Sequence, residues 1–110
     1  MLLSGAVSVV NSQETVRLHF EVIVDGSAVA RPTVAVPAGS TGRVEIDDVG
    51  RFAFTPTSRG SDRLAIMFDI DAGGRQFRPE LLMRENGPGS VAWTSEGGER
   101  TFELRVSWAR

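Results

Sequence analysis

The chain has 110 residues, twelve basic side chains that are all arginine, fourteen acidic ones and a formal charge of −2. A chain of this length is the usual size of one domain and buries roughly two-thirds of its unfolded surface, so a single core suffices without staples. The balance of charge excludes a strongly basic nucleic-acid binder and an acidic tail protein. The lack of Cys excludes disulfide scaffolds, thiol chemistry and Cys-type zinc, and the lack of Lys excludes Schiff-base and P-loop lysines. With no Tyr and one His, acid–base catalysis has few candidates.

Met1 to Val10 is mildly apolar. It lacks the basic n-region and long apolar stretch of an export signal, although Ser4-Gly5-Ala6 has the small-residue character of a cleavage site. The expectation is either a cytoplasmic or virion protein, or an exported domain excised from the bacterial envelope. No segment approaches the ~18 apolar residues of a membrane span. Residues 1–15 read as an N-terminal arm in which Val7 to Val10 is a candidate extra strand.

Val16, Leu18, Phe20, Val22 and Val24 alternate with Arg17, His19, Glu21 and Ile23, the period-two pattern of a half-buried strand. Asp25-Gly26 is a hairpin turn signal, since Gly accepts positive φ and Asp bonds its own backbone. A second strand is predicted over about Ala28 to Val36. Pro32 and Pro37 lack N–H groups there and point to a sheet edge or a bulge. After the loop Ala38–Gly42, a third strand spans Arg43 to Asp47, Asp48-Val49-Gly50 turns, and a fourth spans Arg51 to Thr57. Asp62–Asp71, Gln76–Arg84, Ser90–Thr94 and Arg100–Trp108 repeat this plan. Pro79 to Glu85 also has the look of a helix start, but its counterpart Thr33 to Val36 is β-type, so it is read as strand.

Aligned in order, Leu18 falls on Leu64, Phe20 on Ile66, Val22 on Phe68, Val24 on Ile70 and Asp25 on Asp71. Arg31-Pro32 falls on Arg78-Pro79, Val34 on Leu81, Val36 on Met83, Gly42 on Gly89, Ile46 on Trp93, Phe52 on Phe102 and Phe54 on Leu104. This reads as an internal duplication with gaps at turns. The prediction is one all-β domain over 1–110, an antiparallel β-sandwich or flattened barrel of about eight strands. It is built from two tandem four-stranded repeats, 16–58 and 62–108. Inward residues are Leu18, Phe20, Val22, Val44, Ile46, Phe52, Phe54, Leu64, Ile66, Phe68, Trp93, Phe102, Leu104 and Val106.

The unit "strand, Asp-Gly turn, Arg-Pro, Val-x-Val, Gly loop, strand, strand" resembles duplicated β-domains of uncharacterised exported proteins from GC-rich Gram-negative bacteria. Similar tails occur on some membrane-anchored antirepressor-type peptidases. The resemblance covers about residues 16–108 and rests on Asp25-Gly26, Arg31-Pro32, Val34, Val36, their partners, and Phe102 to Trp108. It implies an envelope location and a non-catalytic β-sandwich, and carries over no catalytic residue.

Few residues carry chemistry. His19 sits on the outer face between Arg17 and Glu21, with no G-x-S-x-G elbow anywhere in the chain. Asp69, Asp71, Gly74 and Glu80 have a faint calcium-loop spacing, but strand-like flanks favour a plain hairpin turn. Asp47-Asp48 lacks a facing carboxylate, and Gly39, Gly42, Gly87 and Gly89 precede strands, which excludes a helix-based phosphate cradle. Arg31 and Arg78 are a matched pair of guanidinium forks, fit either to grip a carboxylate or partner or to cover a sheet edge. Ala65 and Met67 make an outer face apolar where the first repeat has His19 and Glu21, as an interface needs. The expectation is a non-catalytic protein-interaction module, without cofactor or metal, acting through sheet edges or loops. Its partner is another protein or a second copy of the chain, with no nucleic acid and no membrane insertion. The alternatives are a structural subunit of a phage or surface assembly, or a small-molecule or carbohydrate binder using Trp93 or Trp108.

Overall fold

The structure is a computed structural model, and residues 14–108 are described. The alternation of the first strand is realised in β1 (Thr15–Val24), where Val16, Leu18, Phe20, Val22 and Val24 are all buried. There follow β2 (Ser27–Ala30), β3 (Thr33–Pro37), β4 (Gly42–Ile46), β5 (Gly50–Ser58), β6 (Arg63–Ala72), β7 (Arg75–Phe77), β8 (Glu80–Arg84), β9 (Gly89–Thr94) and β10 (Thr101–Trp108). The candidate strand Val7–Val10 lies outside the described residues.

The strands form two five-stranded antiparallel sheets. Sheet A runs β2/β3–β1–β10–β9, and sheet B runs β4–β5–β6–β7/β8. No ladder joins the two among the described residues, so the fold is a sandwich rather than a barrel. Ten strands stand where eight were expected, because Arg31-Pro32 and Arg78-Pro79 each split a long edge strand in two. Proline cannot donate to the ladder. Its carbonyl still accepts: Phe20 N–H bonds Pro32 O and Phe68 N–H bonds Pro79 O, both at 2.9 Å. The segment over Pro79 to Glu85 is strand, as its counterpart implied.

Each half of the chain contributes to both sheets. The ladder partners of β1 (β3 and β10) correspond to those of β6 (β8 and β5) when Phe20 is set against Phe68, Pro32 against Pro79, Gly42 against Gly89 and Phe54 against Val106. This correspondence differs by two residues from the sequence alignment, which set Phe20 on Ile66 and Phe52 on Phe102. The extra residue also lies in the first half. The register of β1 with β2 shifts at Val22/Ile23, while β6 and β7 pair without a shift. A slip of two preserves every inward and outward assignment, so alternation alone does not detect it.

The core lies between the sheets. Phe20 of sheet A meets Phe52, Phe54 and Phe68 of sheet B with ring centroids 5.1, 5.0 and 6.4 Å away, in edge-on or tilted arrangements. Such contacts contribute about 0.5–1.5 kcal/mol each beyond area burial. All fourteen residues predicted inward are buried or packed against the core. The turns follow local chemistry. Asp25 and Gly26 (φ 52° and 84°) and Gly73 and Gly74 (φ 68° and 78°) both place positive φ at two central residues, as two-residue hairpins of the right twist require. The second turn is therefore Gly73-Gly74. Asp71, aligned with Asp25 in sequence, is still within β6.

Candidate functional site

The outer faces of the two sheets differ at the centre of their middle strands. On sheet A, His19 stands between Thr33 and Ser107 in register, with its Nδ1 3.0 Å from Thr33 Oγ1. Two residues along, the Glu21 carboxylate takes the Arg31 guanidinium at 3.0 Å and the Arg105 guanidinium at 3.5 Å. Glu103, 3.1 Å from Arg105, together with Glu21 raises the affinity of that guanidinium for its proton. The Glu21 carboxylate therefore has two cationic partners, and the imidazole bonds a hydroxyl instead of an orienting acid. The face is a polar, ion-paired surface.

On sheet B the positions corresponding to Arg17 and His19 are apolar, while Asp69 and Arg78 repeat the Glu21–Arg31 pair. Ala65 and Leu82 are in register where sheet A has Arg17 and Ala35, and Met67 stands where sheet A has His19. Met67 is 59% and Leu82 73% exposed. Ala65, expected on an accessible face, is only 1% exposed: a methyl group on a central strand sits below its register neighbours Thr57 and Leu82. Met67 and Leu82 therefore form the accessible apolar surface, with Ala65 as its floor. Leu82 was legible in the sequence, since alternation with inward Leu81 and Met83 turns it outward.

Beside this face runs the edge strand β8, bordered by a groove of about 490 Å³ lined by Arg59, Arg63, Glu80, Leu82 and Arg84. Arg59 reaches Glu80 across 3.9 Å. The edges are not equivalent. β3 ends in Pro37, and β2 carries a register shift against β1. On β9, Arg75 donates to the Thr94 carbonyl at 2.6 Å. Prolines, bulges and side chains that occupy backbone groups protect an edge from pairing. β8 has none of these along its five residues.

Arg31 and Arg78 occupy corresponding places on the two opposite sheets and are highly exposed. Each spans to the acid on the neighbouring central strand, Arg31 to Glu21 at 3.0 Å and Arg78 to Asp69 at 3.6 Å. They flank the strand breaks and belong to separate faces, so they do not converge on one ligand. Asp69, Asp71 and Glu80 also do not form a loop. Asp69 and Asp71 lie on β6, and the three carboxylates face Arg78, Arg51 and Arg59 respectively. Among the described residues no group of three or more His, Cys, Asp or Glu is placed to hold a metal ion.

Both tryptophans serve packing. Trp108 is buried. Trp93 stacks on Phe102 at 5.4 Å and 11°, meets Phe77 of β7 edge-on at 5.3 Å, and donates its indole N–H to Ala72 O of β6 at 3.4 Å, tying β9 to both strands. At the opposite hairpin, the Asp25 carboxylate accepts Thr101 N–H at 2.8 Å with Arg100 Nε 3.3 Å away. The Thr101 backbone bond, assisted by Arg100, holds the Asp25 carboxyl below the usual carboxylate range.

The fold is thus a two-sheet antiparallel β-sandwich whose outer faces both carry ion pairs, with an exposed apolar patch at Met67 and Leu82 on sheet B. No helix among the described residues is long and apolar enough to cross a membrane. No protein-family model, curated protein or solved structure matches the chain.

Proposed function

We propose that this domain is a non-catalytic protein-interaction module that binds another polypeptide at the β8 edge and the adjoining outer face of sheet B. One observation carries this reading: corresponding positions on the two sheets hold Arg17, His19 and Ala35 on one and Ala65, Met67 and Leu82 on the other. Arg17 and His19 satisfy two of these positions in sheet A, so Ala65 and Met67 in sheet B are not a requirement of folding. Exposed apolar surface beside an unblocked strand edge is what strand addition uses: main-chain bonds give affinity and alternate side chains give selectivity. The matching pairings of the two halves support an origin by duplication, after which one face diverged.

The test compares partner retention by immobilised wild-type domain, a Met67→Arg/Leu82→Arg chain and a His19→Ala chain. Specific retention that is lost with the sheet B substitutions and kept with the sheet A one is expected. Equal retention by all three, or none by the wild type, overturns the reading.

A further inference from the structure

β8 reads Glu80-Leu81-Leu82-Met83-Arg84, which is its own complement when run antiparallel about Leu82. Two bonds fix the direction of its backbone groups: Phe68 N–H to Pro79 O at 2.9 Å, and Glu85 N–H to Asp62 O at 2.8 Å. Between them the N–H and C=O of Leu81 and Met83 face β6. Successive residues of a strand alternate, so those of Glu80, Leu82 and Arg84 point away from the sheet. In a two-fold antiparallel pair centred on Leu82, these are the residues that exchange bonds. Leu82 meets Leu82 of the second copy, and Glu80 meets its Arg84. Arg84 O already accepts Gly87 N–H at 3.0 Å. The ladder therefore counts on four bonds, two at Leu82 and two from Arg84 N–H to Glu80 O.

The side chains agree with the same register. On the outer face Leu82 lies beside Leu82, and each Glu80 carboxylate beside an Arg84 guanidinium. On the inner face Leu81 lies beside Met83. Apolar and opposite-charge cross-strand pairs each favour pairing. The corresponding strand of the first half does not permit it: the outward positions of β3 are Thr33, Ala35 and Pro37, and Pro37 has no N–H to give.

We infer that β8 is a homodimerisation edge, through which two copies join their B sheets into one continuous antiparallel sheet. This rests on the interaction-module reading and names its partner as a second copy of the chain. Dimerisation also brings both exposed Leu82 side chains together and shields them from water.

The experiment is the solution mass of the full chain by light scattering after size exclusion, from micromolar to millimolar concentration. A mass twice that of the chain is expected. Leu82→Pro removes the central outward N–H at an edge position where proline is tolerated. It is expected to give a monomer with unchanged far-UV circular dichroism and the unfolding midpoint that the wild type shows when diluted to monomer. Glu80→Arg and Arg84→Glu each place like charges opposite one another and are expected to weaken the dimer roughly tenfold or more. An equimolar mixture of the two, or both substitutions in one chain, restores opposite charges and with them the dimer. A monomeric wild type overturns the dimer, and the wider reading then stands or falls on whether the domain retains a different polypeptide. A dimer indifferent to the three variants, held for instance by β4 where Arg43 and Glu45 also alternate, overturns it as well. So does failure of the charge-reversed pair to rescue.

Discussion

Gly42→Ala is expected to destabilise the fold by about 1–2 kcal/mol through one contact. Gly42 is buried on β4, opposite Phe54 in register. A Cβ added there would overlap Phe54 Cζ and lie 3.0 Å from Cε1 and Cε2. Comfortable carbon–carbon contacts are about 3.5–4.0 Å, so ring or strand must move by ~1 Å. The Phe54 ring has no free path. It is 0% exposed, 5.0 Å from Phe20 and 6.2 Å from Phe52 by centroid. Overpacking of this kind costs ~1–3 kcal/mol, against which the lower chain entropy of Ala returns ~0.5–1 kcal/mol. For a domain of this size the net loss lowers the unfolding midpoint by roughly 4–16 °C. Urea unfolding followed by Trp93 and Trp108 fluorescence measures the free energy, and thermal circular dichroism the midpoint. Phe54→Leu shortens the opposing side chain, so Gly42→Ala should cost ~1 kcal/mol less in that background. Wild-type stability for Gly42→Ala, or an equal cost in both backgrounds, would refute the steric account.

Three further outcomes are expected. Asp25→Asn keeps an acceptor for Thr101 N–H but removes a carboxylate whose folded-state pKa is depressed by that bond and by Arg100. A depressed pKa stabilises the fold above the unfolded value of ~3.9 and loses that contribution as pH falls through the lower folded value. The variant should therefore show a shallower loss of stability in acid titrations below about pH 5, with wild type and variant converging at the acid end. Arg78→Ala removes an exposed pair with Asp69 and should change stability by no more than ~0.5 kcal/mol in urea unfolding, because solvent screens such pairs. Trp108→Ala empties a fully enclosed site at the end of β10 and should cost ~3–5 kcal/mol, enough to unfold a marginal domain at 37 °C, as circular dichroism would show.

Much of the candidate site could be reached from sequence, but not its assembly. The outward direction of Met67 and Leu82 follows from alternation with Ile66, Phe68, Leu81 and Met83. The burial of Ala65 does not follow, because it depends on which neighbours flank a small side chain, and those lie on β5 and β8. Arg31 and Arg78 are visible as a matched pair, yet their placement on opposite sheets comes from each half contributing to both layers. The β8 edge is equally hidden. Pro79 marks an edge strand, but which backbone groups face outward is set by the bonds to Phe68 and Asp62.

The all-β class, the inward residues and the Asp25-Gly26 turn are legible in the sequence residue by residue. These depend on side-chain period and local backbone preference. The Arg-Pro interruptions are legible too, since a missing N–H is a local fact. Three features are set by tertiary contacts alone: Phe20 takes the ladder position that Phe68, not Ile66, takes in the other sheet, Gly73-Gly74 and not Asp71 makes the second hairpin turn, and the halves divide between two sheets. A period-two pattern is unchanged by a two-residue slip, and nothing in one strand's alternation names its neighbour. Strand partners are chosen by burying both apolar faces at once while satisfying the backbone bonds between distant segments, and that choice belongs to the whole chain.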